Sequence, residues 1–226
     1  MCGRFVLTLP QDAIARLFDA RPVNDLPDVP NYNICPTNPV HFIRTGPDGR
    51  QIASLRWGFL PHWYKSPTDG PLLINARAET IAEKPAFREA CRQRRGLIVA
   101  SGFYEWTKDA EDNRLPWYFR RSDGAPIAFA AVWQSWGRDE ARQETCAIVT
   151  TAANMKLEGL HHRMPLILEP EDWALWLGEQ GKGAARLMVP GKEHVLEFFR
   201  VGTKVNSNRA EGPDLIEPLE DEDELG

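Results

Sequence analysis

The sequence predicts an α+β protein: a single domain with a curved, barrel-like antiparallel β-sheet core and peripheral helices. Three observations carry this reading. Strand-patterned segments outnumber helical ones and are joined mostly by short turns. The helical segments are short and amphipathic, so they cover a core and do not form it. A chain of 226 residues with 42% apolar content supplies one substantial core.

The elements follow in order. Residues 9–20 (LPQDAIARLFDA) place Ile14, Leu17 and Phe18 at helical spacing, with Pro10 near the start. The Pro- and Asn-rich stretch 21–39 reads as an extended loop. Residues 39–45 and 51–59 are two strands around the turn GPDG. Residues 61–70 form a loop that holds Trp63, and 87–95 (FREACRQRR) a helix whose bases suit its negative C-terminal end. The strand 96–106 (GLIVASGFYEW) should bend at Gly102. Segments 115–121 and 126–133 are expected to form a hairpin about SDGA, and 144–151 another strand. A short helix near 154–159, a strand at 165–168, a capped amphipathic helix over 170–177, a short helix at 183–188 and a final strand at 196–201 complete the chain.

Several classes are excluded on composition. No apolar run is long enough to span a membrane, and the N-terminus has no basic-then-apolar leader, so a cytoplasmic protein is expected. The four cysteines, Cys2, Cys35, Cys91 and Cys146, lie far apart with no histidine at ligand spacing. Neither a metal nor another cofactor is expected, and the thiols should be free. The net charge of −5 argues against nucleic acid at first sight, but the last ten residues (EPLEDEDELG) hold six acids and no base, so without them −5 becomes +1 for residues 1–216. The folded part has room for a local basic groove, and residues 219–226 read as an acidic, disordered tail.

Four stretches carry candidate chemistry. MCGRF puts a cysteine at residue 2, where removal of Met1 would leave an α-amine and a thiol on adjacent carbons. A free α-amine has a pKa of roughly 7.7–8.0, against about 10.4 for lysine, so near neutrality it is the natural group to form a Schiff base with an aldehyde. The thiol can then close a five-membered thiazolidine ring on the same carbon. Taken alone, Cys2 reads as an ordinary second residue. INARAET (residues 74–80) puts Asn75 and Arg77 on one face if extended; an amide can orient an amine, and an arginine suits a phosphate. In SGFYEW (101–106), Glu105 sits between Tyr104 and Trp106, where its pKa should rise and suit it to acid–base work. In GLHHRMPLIL (159–168), His161 and His162 fit proton transfer better than metal binding, with Arg163 a second phosphate candidate.

The ordered set MCGRF, NxRxET, GFYEW and HxRMP resembles the SRAP family, the SOS-response-associated peptidases that act as abasic-site shielding proteins. The resemblance runs from Cys2 to about Pro218, giving an SRAP domain over 2–218 with the tail appended. It implies a positive cleft that binds single-stranded DNA and a covalent thiazolidine crosslink between Cys2 and the ring-opened abasic sugar. AP-lyase and autoproteolytic activity come with it. On the same resemblance the catalytic residues are Cys2, Asn75, Glu105 and His161, with His162 at a variable position. Arg4, Arg77 and Arg163 would contact phosphates. Pro36, Trp106 and Trp63 would wedge the flanking bases, and Cys35 would lie near the cleft. The partner would be single-stranded DNA containing abasic sites, met by a monomer that is nucleoid-associated when bound. A peptidase acting on other proteins and a noncovalent single-strand binder are the competing readings.

Overall fold

A computed structural model of the chain describes residues 2–219. In chain order the elements are β1 (Phe5–Leu7), α1 (Gln11–Phe18), β2 (Ala20–Pro22), β3 (Asn31–Ile34), β4 (Pro39–Gly46), β5 (Gly49–Trp57), β6 (Asn75–Arg77), α2 (Arg88–Gln93), β7 (Arg95–Ala100), β8 (Gly102–Lys108), β9 (Arg114–Arg121), β10 (Ile127–Trp136), β11 (Gln143–Ala152), α3 (Met155–Glu158), β12 (Arg163–Pro165), α4 (Pro170–Trp176) and β13 (Leu196–Arg200). The architecture is α+β and dominated by strands, as the patterning predicts. Among the described residues no helix is long and apolar enough to cross a membrane. The acidic segment read as a tail lies outside the described residues from position 220 onward.

The strands form two sheets. One has the order β13-β9-β8-β1-β3; the other runs β12-β11-β10-β7-β4-β5-β2, with β6 added beside β11. The larger sheet curls until β5 returns to β11 over the parallel pairs Thr145↔Arg56 and Cys146↔Trp57. This contact is two residue pairs long, so the sheet is curled and not a closed barrel. Most pairings are antiparallel, but β2 with β5 and β6 with β11 are parallel.

The core lies between the sheets. Phe5 of β1 packs on Trp57 (ring centroids 5.1 Å apart) and on Phe129 (6.0 Å), and Phe103 of β8 also meets Phe129 (5.8 Å). Such aromatic pairs bury large apolar area and prefer these tilted geometries. Helix α1 buries Ile14 and Phe18, and Phe18 stacks on Trp173 of α4 at 4.3 Å. Two short helices thereby seal one edge of the core against each other.

The bend expected at Gly102 does more than bend the strand. It moves the chain from one sheet to the other, because β7 pairs with β10 and β8 pairs with β9. A Cβ on Gly102 would run into the Tyr118 ring and the Phe119 carbonyl, so the crossing strands need glycine there.

Four expectations are corrected. The segments around SDGA do not form a hairpin: β9 is hydrogen-bonded to β8 and β13, and β10 to β7 and β11. Alternation identifies a strand but not its neighbour, and both edges of β9 are already taken. The 21–39 loop contains the short strands β2 and β3, whose prolines and asparagines hid them. The strand expected at 165–168 lies instead at Arg163–Pro165 and shares only Pro165 with the expected span. Helix α4 has no side-chain cap; Pro170 at its first turn starts it instead.

His41 of β4 is 1% exposed, and neither ring nitrogen has a hydrogen-bond partner among the described residues. Burial pushes its pKa down to about 4. An unfolded histidine titrates near 6.5, so between these values the unfolded chain binds more protons and stability falls as pH falls. Urea midpoints at pH 7 and pH 5 should show wild type losing stability relative to His41→Leu on acidification. Equal losses in the two proteins would refute this.

Candidate active site

The site begins at the N-terminal strand. β1 pairs with β8 through Phe5↔Phe103 and Val6↔Gly102, and the Tyr104 N–H donates to the Arg4 carbonyl at 3.0 Å. Continued by that bond, the antiparallel register carries residues 2 and 3 alongside Glu105. Cys2 is fully buried. Burial pushes its thiol pKa far up, the nearby Glu105 carboxylate pushes it further, and a hydrogen bond from the Arg4 backbone pulls it back a little. The Glu105 side chain is 6% exposed. Burial raises its carboxyl pKa, with His162 among the groups that oppose the rise. A thiol and a carboxyl that resist ionisation therefore sit side by side.

The other sheet supplies the facing wall. β6 runs parallel to β11 with Ile148↔Asn75 and Thr150↔Arg77, and β12 runs antiparallel on the same strand with Ala152↔Arg163. β11 thus gathers INARAET and HHRMP, which are far apart in sequence. The Asn75 Nδ2 donates to the Cys2 carbonyl at 3.0 Å, which joins the two walls. Its Oδ1 is buried with no hydrogen-bond partner among the described residues, an acceptor held beside Cys2.

His161 is half-buried, with Nδ1 3.0 Å from both the N–H and the carbonyl of Arg163. Its ring stacks on His162 at 4.5 Å. Burial lowers the pKa of His161, and the neighbouring His161 lowers that of the exposed His162. Both imidazoles are therefore neutral at pH 7.

The other sequence candidates divide. Arg77 is exposed. Arg4 is buried, and its guanidinium donates to Asn33, to the Val205 carbonyl and to Asn208. Arg163 is buried, and its fork faces Glu79 at 2.7 and 2.9 Å. Trp106 lies under two guanidiniums, Arg4 at 5.5 Å and Arg114 at 4.6 Å, and its indole N–H donates to Asn206 at 2.6 Å. Half-buried Pro36 follows Cys35, whose thiol donates to the Asn33 carbonyl. That turn adjoins the Arg4 cluster. Trp63 is 48% exposed and packs edge-on with His62, in a loop tied to β10 by the Trp136 N–H bond to the Tyr64 carbonyl.

Sequence reasoning missed Asn33, Glu79, Arg114, Asn206 and Asn208 as members of this assembly. Asn206 and Asn208 stand in the closing segment VNSNRA, and Glu79 in INARAET, so the signal was present without roles attached. Arg114 carries no sequence signal at all. Among the described residues no group of three or more His, Cys, Asp and Glu side chains comes together in a way that could hold a metal.

Comparison with known proteins finds relatives along nearly the whole chain. The profile of the SOS response associated peptidase (SRAP) family matches residues 1–208. Abasic site processing protein YoqW of Bacillus subtilis is 34% identical over 224 residues, covering 96% of this chain and 99% of that one. Abasic site processing protein YedK of Escherichia coli is 30% identical over 227 residues, covering 97% and 100%. A crystal structure of a protein from Bacteroides thetaiotaomicron superposes with a TM-score of 0.73 at 25% identity, covering 84% of this chain and 85% of that one. The chain belongs to the SRAP family.

The raised pKa of Glu105 has a cost. Its folded-state pKa lies above the unfolded value, so stability falls as pH rises through this range. Glu105→Gln should therefore melt higher than wild type at pH 7, by about 2–4 °C if the gain is 1 kcal/mol. At pH 3, where the carboxyl is protonated in both states, the difference should vanish. A lower melting temperature at pH 7 would sink this account.

Proposed function

We propose that this chain processes abasic sites in single-stranded DNA by forming a covalent thiazolidine crosslink through Cys2. The hydrogen bond from Asn75 to the Cys2 carbonyl carries the reading, because it fixes residue 2 beside the buried Glu105 carboxyl with an amide acceptor at hand. The names of the relatives support abasic sites as the target.

Once Met1 is removed, the Cys2 α-amine adds to C1′ of the ring-opened sugar. Asn75 Oδ1 accepts from the amine and orients it. The carbinolamine loses its oxygen as water, leaving an imine between the Cys2 nitrogen and C1′. Glu105, which burial keeps ready to hold a proton, acts on the sugar's ring oxygen and protonates the departing one. The Cys2 sulfur then adds to C1′, its proton passing to the nitrogen, and closes the ring. The net change is the loss of one water, with no oxidant or reductant. Neutral His161 assists Schiff-base formation and can promote β-elimination, which is the lyase side reaction.

A thiol whose pKa burial raises is a poor thiolate nucleophile, which favours this amine-first order over a cysteine peptidase acting on other proteins. Autoproteolysis ahead of Cys2 stays within the proposal. Arg77 contacts a phosphate directly, with Arg4 and Arg163 as further phosphate-side charges. Trp106, Pro36 and Trp63 offer flat surfaces to the splayed bases. The protein works as a monomer, in the cytoplasm and on nucleoid DNA.

Intact mass after mixing with single-stranded DNA that bears one abasic site tests the proposal. The expected species is protein minus Met1 plus DNA minus one water, absent for Cys2→Ala. His161→Ala should slow its formation by about 10²-fold or more. A Cys2→Ala protein that still formed the adduct would overturn the assignment.

A further inference from the structure

We propose that Glu79 is a positioning residue that sets the orientation of His161 through Arg163. The inference rests on the reading of His161 as a proton-transfer group in that reaction.

The chain of contacts is continuous. The Arg163 guanidinium is buried, so it needs a counter-charge and partners for its donors. Glu79 supplies both: Nη1 donates to Oε1 at 2.7 Å and Nη2 to Oε2 at 2.9 Å, a bidentate pair that fixes the fork in direction as well as distance. Nη2 also donates to the Thr150 carbonyl of β11 at 2.7 Å. The backbone of the same arginine holds His161, with its N–H and carbonyl each 3.0 Å from Nδ1. Swinging the Arg163 side chain therefore drags the two groups that orient the ring.

Two features make Glu79 the anchor. β12 is three residues long, so its ladder to β11 is a weak restraint on Arg163 by itself. Glu79, in contrast, follows β6 on a braced turn: Ala78 N–H donates to the Thr150 carbonyl at 2.8 Å and Thr80 N–H to the Arg77 carbonyl at 3.1 Å. The same short stretch thus carries Asn75, which holds Cys2, and Glu79, which holds the histidine side. INARAET spaces them four residues apart.

The test is a double-variant cycle. Single-turnover crosslinking rates at saturating abasic single-stranded DNA are measured for wild type, Glu79→Ala, His161→Ala and the double variant. Glu79→Ala should slow the reaction about tenfold, a fraction of the roughly hundredfold that a 1 Å misplacement can cost. Glu79→Gln, which keeps an acceptor, should recover part of the rate. In the His161→Ala background Glu79→Ala should have no further effect. Equal slowing in both backgrounds would overturn the proposal. So would tighter DNA binding at an unchanged rate, which would make Glu79 a placeholder for phosphate. If Glu79→Ala does not fold, Glu79→Gln carries the same cycle. The ¹⁵N resonances of the His161 imidazole in the free protein give a readout that needs no DNA chemistry: they should move in Glu79→Ala, and unmoved resonances would overturn the positioning role. A wild-type protein that forms no adduct would instead defeat the functional reading and leave this comparison to decide on Glu79.

Discussion

The pairing of β1 with β8 is the constraint on which the site depends. It is short, two residue pairs and one further backbone bond, yet it converts a chain terminus into a fixed point. Terminal residues ordinarily fray unless a sheet ties them down. Here Phe5 is locked between Trp57 and Phe129, so the strand is clamped by the core from one side and laddered from the other. Cys2 inherits that rigidity, and the Asn75 bond extends it to the second sheet. Because β8 is also the strand that carries Glu105, the group that is held and the group that faces it share one scaffold.

The second organising strand is β11. It receives β6 on one side and β12 on the other, bringing Asn75, Arg77 and the histidine pair to one end of the curled sheet. On this wall the buried Arg163 faces the carboxylate of Glu79, while on the other sheet Arg4 has its donors taken by neutral amide and carbonyl oxygens. Burial that would be wasteful in an ordinary core is what gives Glu105 and Cys2 their shifted ionisation. Stability and site chemistry therefore pull in opposite directions at Glu105.

Much of the frame was legible in sequence. Helical spacing found α1 and α4, alternation found β4, β5, β9, β10 and β11, and the glycine at 102 marked the sheet crossing. Partner choice was not legible, as the missing hairpin around SDGA shows, because alternation encodes a face and not a neighbour. β1, β2 and β3 escaped because strands of three or four residues hold too few side chains to display a period.

The sequence by itself determined the α+β class, the family to which the chain belongs and the residue types of its four motifs, since these reside in local pattern and order. Only the tertiary structure decided which residues meet. It buried Arg4 among neutral acceptors and Arg163 against Glu79 while leaving Arg77 in solvent, it added Glu79 and Arg114 to the assembly, and it bound Asn75 to Cys2 across 73 positions of chain. Contacts of that range are set by how two sheets pack, a property of the whole core that no single stretch contains.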